Sequence, residues 1–120
     1  MRITEIALTG RRPVDGYGPG GFRIDGVWHA GSLVLTPDGM RGFDGPLRPE
    51  IFAAVLTEAG GIDVVLVGQG AEIAPLDRAL RAALEGAGIG VEIMSTASAC
   101  RTYNVLLAED RRVAAVLLAV

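Results

Sequence analysis

The stretch Ser95–Val120, STASACRTYNVLLAEDRRVAAVLLAV, decides how this chain folds. Ser95 or Thr96 supplies a hydroxyl N-cap, and the residues that follow carry helical spacing through to a turn at Glu109-Asp110. Val113–Leu118 is then apolar at every position. A strand with no polar face has no side for water, so it belongs inside a sheet covered on both faces; at an edge it would invite aggregation.

Working back from there, Ile62–Val67 (IDVVLV) has the same continuous apolar character and predicts a second central strand. Between the two lie a helix opened by Pro75, with Leu76, Leu80 and Leu84 as its buried stripe, and a short strand at Val91–Met94. Gly86 and Gly88 close that helix. Further upstream, Pro49 starts a helix that runs to about Glu58 and stops at Gly60-Gly61.

The first half reads as hairpins. Ile3–Leu8 alternates as a half-buried strand, and Arg11–Gly21, rich in glycine and proline, reads as a loop. Phe22-Arg23-Ile24 is a strand, and Asp25-Gly26 is a type I′ hairpin signal. The return strand runs from Val27-Trp28 to Leu35, with Gly31 as a bulge or close-approach point. Thr36–Leu47 reads as a second turn-rich connection. The expected fold is one compact three-layer α/β domain over residues 1–120, with a mixed central sheet, a hairpin-rich N-terminal half and about three helices.

Composition narrows the function classes. The 120 residues carry a net charge of −3, and every basic residue other than His29 is arginine. A weakly acidic surface does not suit the phosphate backbone of nucleic acid. The longest apolar run is Val113–Val120, far short of the roughly 20 residues that span a bilayer. The N-terminus lacks the apolar core of a signal peptide, so the reading is cytoplasmic, with no direct membrane insertion. One cysteine and one histidine exclude an internal disulfide and a Cys/His zinc site. No cofactor is expected.

Three groups of residues stand out. Val64–Pro75 has the strand, glycines and helix start of a phosphate-binding turn, but Ile73 replaces the third glycine and no Gly-Lys-Ser/Thr follows. Gly68-Gln69-Gly70 is then foremost a tight turn. Cys100 lies about one turn into its helix, where a thiolate would be favoured, yet it aligns with Tyr103 and Leu107 on the apolar face and reads as core. Arg101 and Asn104, three apart, share the polar margin of that face. Asn104 either satisfies a buried backbone group in the glycine loops or, with Cys100, Arg101, Gly68, Gln69 and Gly70, lines a cleft. Tyr17, Gly18, Pro19 and Phe22 form a candidate interaction loop, the alternative being a structured cover over the core.

Three segments together carry a resemblance: YGPGGFRIDGVWHAGSLVL (17–35), VVLVGQG (64–70) and ACRTYNVLLAEDRRVAAVLL (99–118). They resemble the family that includes mitochondrial complex I assembly factor three, the adipogenesis-associated domain protein and many small bacterial and archaeal proteins. The match runs from about Thr4 to Val120. Two departures are the Gly68-Gln69-Gly70 turn, where the family often has a Gly-Thr-Gly-like turn, and Phe43, near where it often has tryptophan. The resemblance implies a mixed-sheet α/β fold, no established catalytic residues and a role exerted through protein contacts. Two functional expectations follow. One is a non-catalytic interaction module, an assembly factor for a membrane-associated respiratory complex, with protein partners and a homodimer left open. The other is a binder of a small molecule or anion, with or without turnover, using the cleft residues named above.

Overall fold

The computed structural model describes residues 12–120, so the expected strand at Ile3–Leu8 lies outside the described residues. Among the described residues, eight strands form two sheets. β1 (Val14–Gly18), β2 (Gly21–Ile24) and β3 (Val27–Ala30) make a small antiparallel sheet. β4 (Ser32–Thr36), β5 (Gly39–Phe43), β6 (Val64–Gly68), β7 (Gly90–Met94) and β8 (Val113–Leu117) make a mixed sheet in the order β5-β4-β8-β6-β7. β8 is its central strand, antiparallel to β4 and parallel to β6.

Period-two alternation in the central strands divides the core in two. Val113, Ala115 and Leu117 of β8, with Leu66 of β6 and Leu33 and Leu35 of β4, face one side. There they meet α3 (Thr96–Ala108) and the buried face of the small sheet. Ala114 and Val116, with Val65, Val67 and Val34, face the other side. They meet α1 (Ala53–Thr57), which continues a 3-10 turn at Pro49–Phe52, and α2 (Arg78–Gly86). The three layers are these two and the sheet between them. The β6–α2–β7 crossover runs outward and β7–α3–β8 runs back past β6, so equal handedness places the two helices on opposite faces.

The Asp25-Gly26 turn has positive φ at both centres, 50° and 82°, as a type I′ turn requires. Two expected loops are strands instead. Within Arg11–Gly21, β1 pairs with β2 around a two-residue Pro19-Gly20 turn, with φ +83° at Gly20. Gly21 serves packing: a Cβ there would strike the His29 carbonyl oxygen and stand 2.7 Å from the Trp28 ring. Within Thr36–Leu47, β5 pairs with β4 through Pro37-Asp38. Glu58, after α1, pins that turn by accepting from Thr36 Oγ1 (2.7 Å) and from the Asp38 N–H (3.2 Å).

Gly31, at φ +91°, is where the chain leaves the small sheet for the large one, so the single return strand expected over 27–35 is divided between two sheets. α2 begins at Arg78 rather than at Pro75. Asp77 is its N-cap, accepting from the Leu80 N–H at 2.9 Å, while residues 71–77 cross the end of the sheet as a loop. Leu76 packs against the core from that loop, ahead of Leu80 and Leu84 on the helix.

Candidate functional site

The C-terminal ends of β6 and β8 meet the N-terminus of α3, and Thr96 ties them together. Fully buried, it donates from Oγ1 to the Leu118 carbonyl (2.8 Å) and accepts from the Gly70 N–H (2.7 Å). The Gln69 N–H donates to Met94 O at 2.9 Å. Both amides of the turn are thereby spent on the protein itself, where a phosphate-binding turn would aim them at its ligand. Gly68 is packed just as closely. A Cβ there would sit 3.0 Å from Thr96 Cα and 3.1 Å from both Ala99 Cβ and Leu117 Cδ2. Glycine at 68 is what lets α3 approach the strand, and α3 fills the space beside the turn. Thr96 was not singled out by sequence beyond its capping value; Ser95 is the cap, its Oγ accepting from the Ser98 N–H at 3.2 Å.

Further along α3 the other candidate residues diverge. Cys100 is buried, and that burial pushes its thiol from an ordinary 9.0 up to about 11, with Arg101 only partly opposing the rise. At pH 8 about one thiol in a thousand is then ionised. Iodoacetamide is therefore expected to label Cys100 only after unfolding; rapid labelling of the native protein would overturn the assignment. Because the folded state holds this proton more tightly than the unfolded chain, the associated stability is present below pH 9.0. It is lost as the pH rises toward 11. Arg101 is exposed and reaches Ser98 Oγ at 3.5 Å. Asn104 turns away from Gly68–Gly70: its Oδ1 accepts from the Val14 N–H (2.8 Å) and its Nδ2 donates to the Val14 carbonyl (2.7 Å).

The candidate interaction loop is a β-hairpin with two unlike faces. Phe22 is fully buried, on the face shared with Ile24 and Val14. Tyr17 is 45% exposed near the Pro19-Gly20 tip. On the outer face the Trp28 ring lies over Gly21 and 3.9 Å from the Cβ position of Gly18, and it remains 45% exposed. The segment after β8 is tied to this hairpin, since Gly20 N–H donates to Val120 O at 2.6 Å. Trp28 was legible in sequence only as part of a strand.

A cleft of about 440 Å³ opens elsewhere, on the α1/α2 side of the sheet. One wall is the segment from Pro46 to Phe52, the other the loop from Gln69 to Leu80, and Leu118 closes the end. Of the turn residues singled out from sequence, Gln69 is the one that lines it.

Comparison with known proteins is consistent across sequence and structure. The chain is 47% identical over 121 residues to an uncharacterised protein of Rhodobacter capsulatus, covering 98% of this chain and 93% of that one. It is 30% identical to the NADH dehydrogenase [ubiquinone] 1 alpha subcomplex assembly factor 3 of Danio rerio, over 85% of this chain. The match spans 61% of the assembly factor's length. Among solved structures, the crystal structure of an outer membrane protein from Bartonella henselae superposes with a TM-score of 0.89 at 44% identity, covering 93% of this chain and 98% of that one. A family model described as a protein of unknown function, DUF498/DUF598, matches residues 14–118. The chain belongs to the DUF498/DUF598 family, the family its three motif segments resemble.

Proposed function

We propose that the chain is a non-catalytic protein-interaction module that acts in the cytoplasm as an assembly factor for a membrane-associated respiratory complex. The observation that carries this reading is the 30% identity to an assembly factor over 85% of the chain. The environments of two of the candidate cleft residues support it. Cys100 is buried and protonated, and Asn104 is engaged with Val14. Among the described residues no group of three or more His, Cys, Asp or Glu side chains is placed to hold a metal, and no helix is long and apolar enough to cross a membrane.

The contact surface in this reading is the β1–β3 hairpin, with Tyr17, Gly18 and Pro19 at the tip and Trp28 on the outer face. The exposed Trp28 ring over the glycines of the outer face is an aromatic anchor of the kind that dominates protein interfaces, and Tyr17, which pairs with Phe22 and so leaves the sheet from the opposite face, is exposed beside the tip. The partner is a subunit of the complex being assembled. The test is deletion of the gene in its own host, followed by native gel analysis of the respiratory complexes and complementation. Wild type is expected to restore assembly, whereas Tyr17→Ala and Trp28→Ala, each verified as folded by thermal melting, restore it poorly. Normal complex levels in the deletion strain would sink the proposal.

A further inference from the structure

The cleft on the α1/α2 side occupies a special position in the topology. The chain leaving β6 turns toward α2 on one face. The chain leaving β8 turns toward the small sheet on the other, where the Ala119 N–H donates to Ser32 Oγ (2.9 Å) and Val120 O accepts from Gly20. Neighbouring parallel strands whose exits diverge in this way leave a crevice beyond their carboxyl ends, the place where open α/β sheets bind ligands. Gln69, after β6, and Leu118, after β8, both line the cleft. Its volume falls within the usual range for small-molecule sites.

The lining sets the chemistry. Phe52, Leu76, Leu80 and Leu118 give an apolar floor, and the carboxylates of Glu72 and Asp77 stand at the margin. One Asp77 oxygen is taken by the Leu80 N–H, which leaves the second for a ligand. Arg48 is the one arginine on the lining, and its Nη1 is stitched into its own loop by the Asp44 (2.9 Å) and Pro46 (3.0 Å) carbonyls. The α2 N-terminus, a natural anion site, is already capped by Asp77, and the Gln69 and Gly70 amides point into the protein. An anionic head such as a phosphate therefore meets two carboxylates against the single Arg48 guanidinium and no free amide of the Gln69-Gly70 turn, whereas a cationic head meets the same two carboxylates with only that one like charge.

From this geometry we infer that the cleft binds a small organic molecule with an apolar body and a cationic, N–H-donating head placed between Glu72 and Asp77. The site is separate from the hairpin surface, so its test is independent of the assembly reading. The probes are phenylbutylamine and phenylbutyrate, which share a body and carry opposite charge, titrated at millimolar concentration into the isotope-labelled full chain and followed through amide NMR shifts. The amine is expected to move the amides of Gln69, Leu76–Leu80 and Leu118 saturably, and to bind more tightly than the acid by about tenfold, equivalent to about 1.4 kcal/mol. In the Glu72→Gln/Asp77→Asn double variant, where asparagine keeps the helix cap, that preference should disappear. Equal or tighter binding of phenylbutyrate to wild type would overturn the inference. So would amine shifts outside the cleft, or none at all, and these wild-type outcomes decide it whether or not the double variant folds.

Discussion

Phe22→Ala is expected to lower unfolding free energy by about 3–5 kcal/mol, the range for emptying a buried aromatic site. Phe22 has no exposed surface. It sits between Tyr17 and His29 in the three-strand register and belongs to the same core cluster as Tyr103 and Leu35. The removed ring is the main large group that the small sheet presents to α3 beside Ile24, and close-packed neighbours collapse only partly into such a space. In a domain of this size, with total stability of order 5–15 kcal/mol, the variant approaches the unfolding threshold. Urea denaturation of wild type and variant measures the difference directly. Tyr17→Ala, five positions earlier and 45% exposed, should change stability by about 0.5 kcal/mol or less. The pair separates the two roles that the hairpin combines: a loss of partner contact with Tyr17→Ala is a surface effect, whereas the same loss with Phe22→Ala follows unfolding. An unchanged denaturation midpoint for Phe22→Ala would mean that Phe22 faces solvent, which requires β2 to slip by one residue.

The features legible in sequence are those whose signals are local. β8 and β6 are apolar on consecutive positions because both their faces are covered, and that pattern needs no knowledge of partners. The Asp25-Gly26 turn is equally self-contained, since its φ angles are a property of two residues. What escaped has non-local causes. The glycines of 16–21 suggest a loop when considered alone. The His29 carbonyl and the Trp28 ring, both arriving with β3, give the absence of a side chain at Gly21 its purpose. β5 is an edge strand with two glycines, and its apolar residues Met40 and Phe43 lie three apart, so Gly39–Phe43 carries no alternation to detect. The cleft is built from segments near 46–52, 69–80 and 118, which no spacing rule connects. Thr96 is similar: a hydroxyl at a helix start reads as a cap, whereas its bonds to Gly70 and Leu118 depend on strands that meet only in the folded sheet.

Asn104→Ala is expected to cost about 2–3 kcal/mol, and the loss should be concentrated at one place. An asparagine carboxamide can present its carbonyl oxygen and one of its two N–H donors in the arrangement of a peptide group. Here it faces both main-chain groups of Val14, at 2.8 and 2.7 Å, from a position 90 residues away. β1 is an edge strand among the described strands, with β2 on its other side. Asn104 therefore stands in for the next strand at that edge, and a helix side chain supplies what a neighbouring ladder would. Alanine improves helix propensity by about 0.5 kcal/mol. It also leaves the N–H and C=O of the buried Val14 without their partners, at about 1–3 kcal/mol for each group that water does not reach. The net effect is destabilising. Asn104→Asp should not rescue it at neutral pH, because a carboxylate accepts from the Val14 N–H but places negative charge against the Val14 carbonyl. Hydrogen exchange gives the discriminating readout. If Asn104 holds the edge, the Val14 amide loses protection in Asn104→Ala while the amides of β6 and β8 keep theirs. If Asn104 served a ligand instead, Val14 would exchange at the wild-type rate and the melting temperature would not move. Freed of its clamp, β1 would also expose an unpaired strand edge to other chains. Concentration-dependent association in the variant, absent from wild type, is the second expected consequence of losing this one side chain.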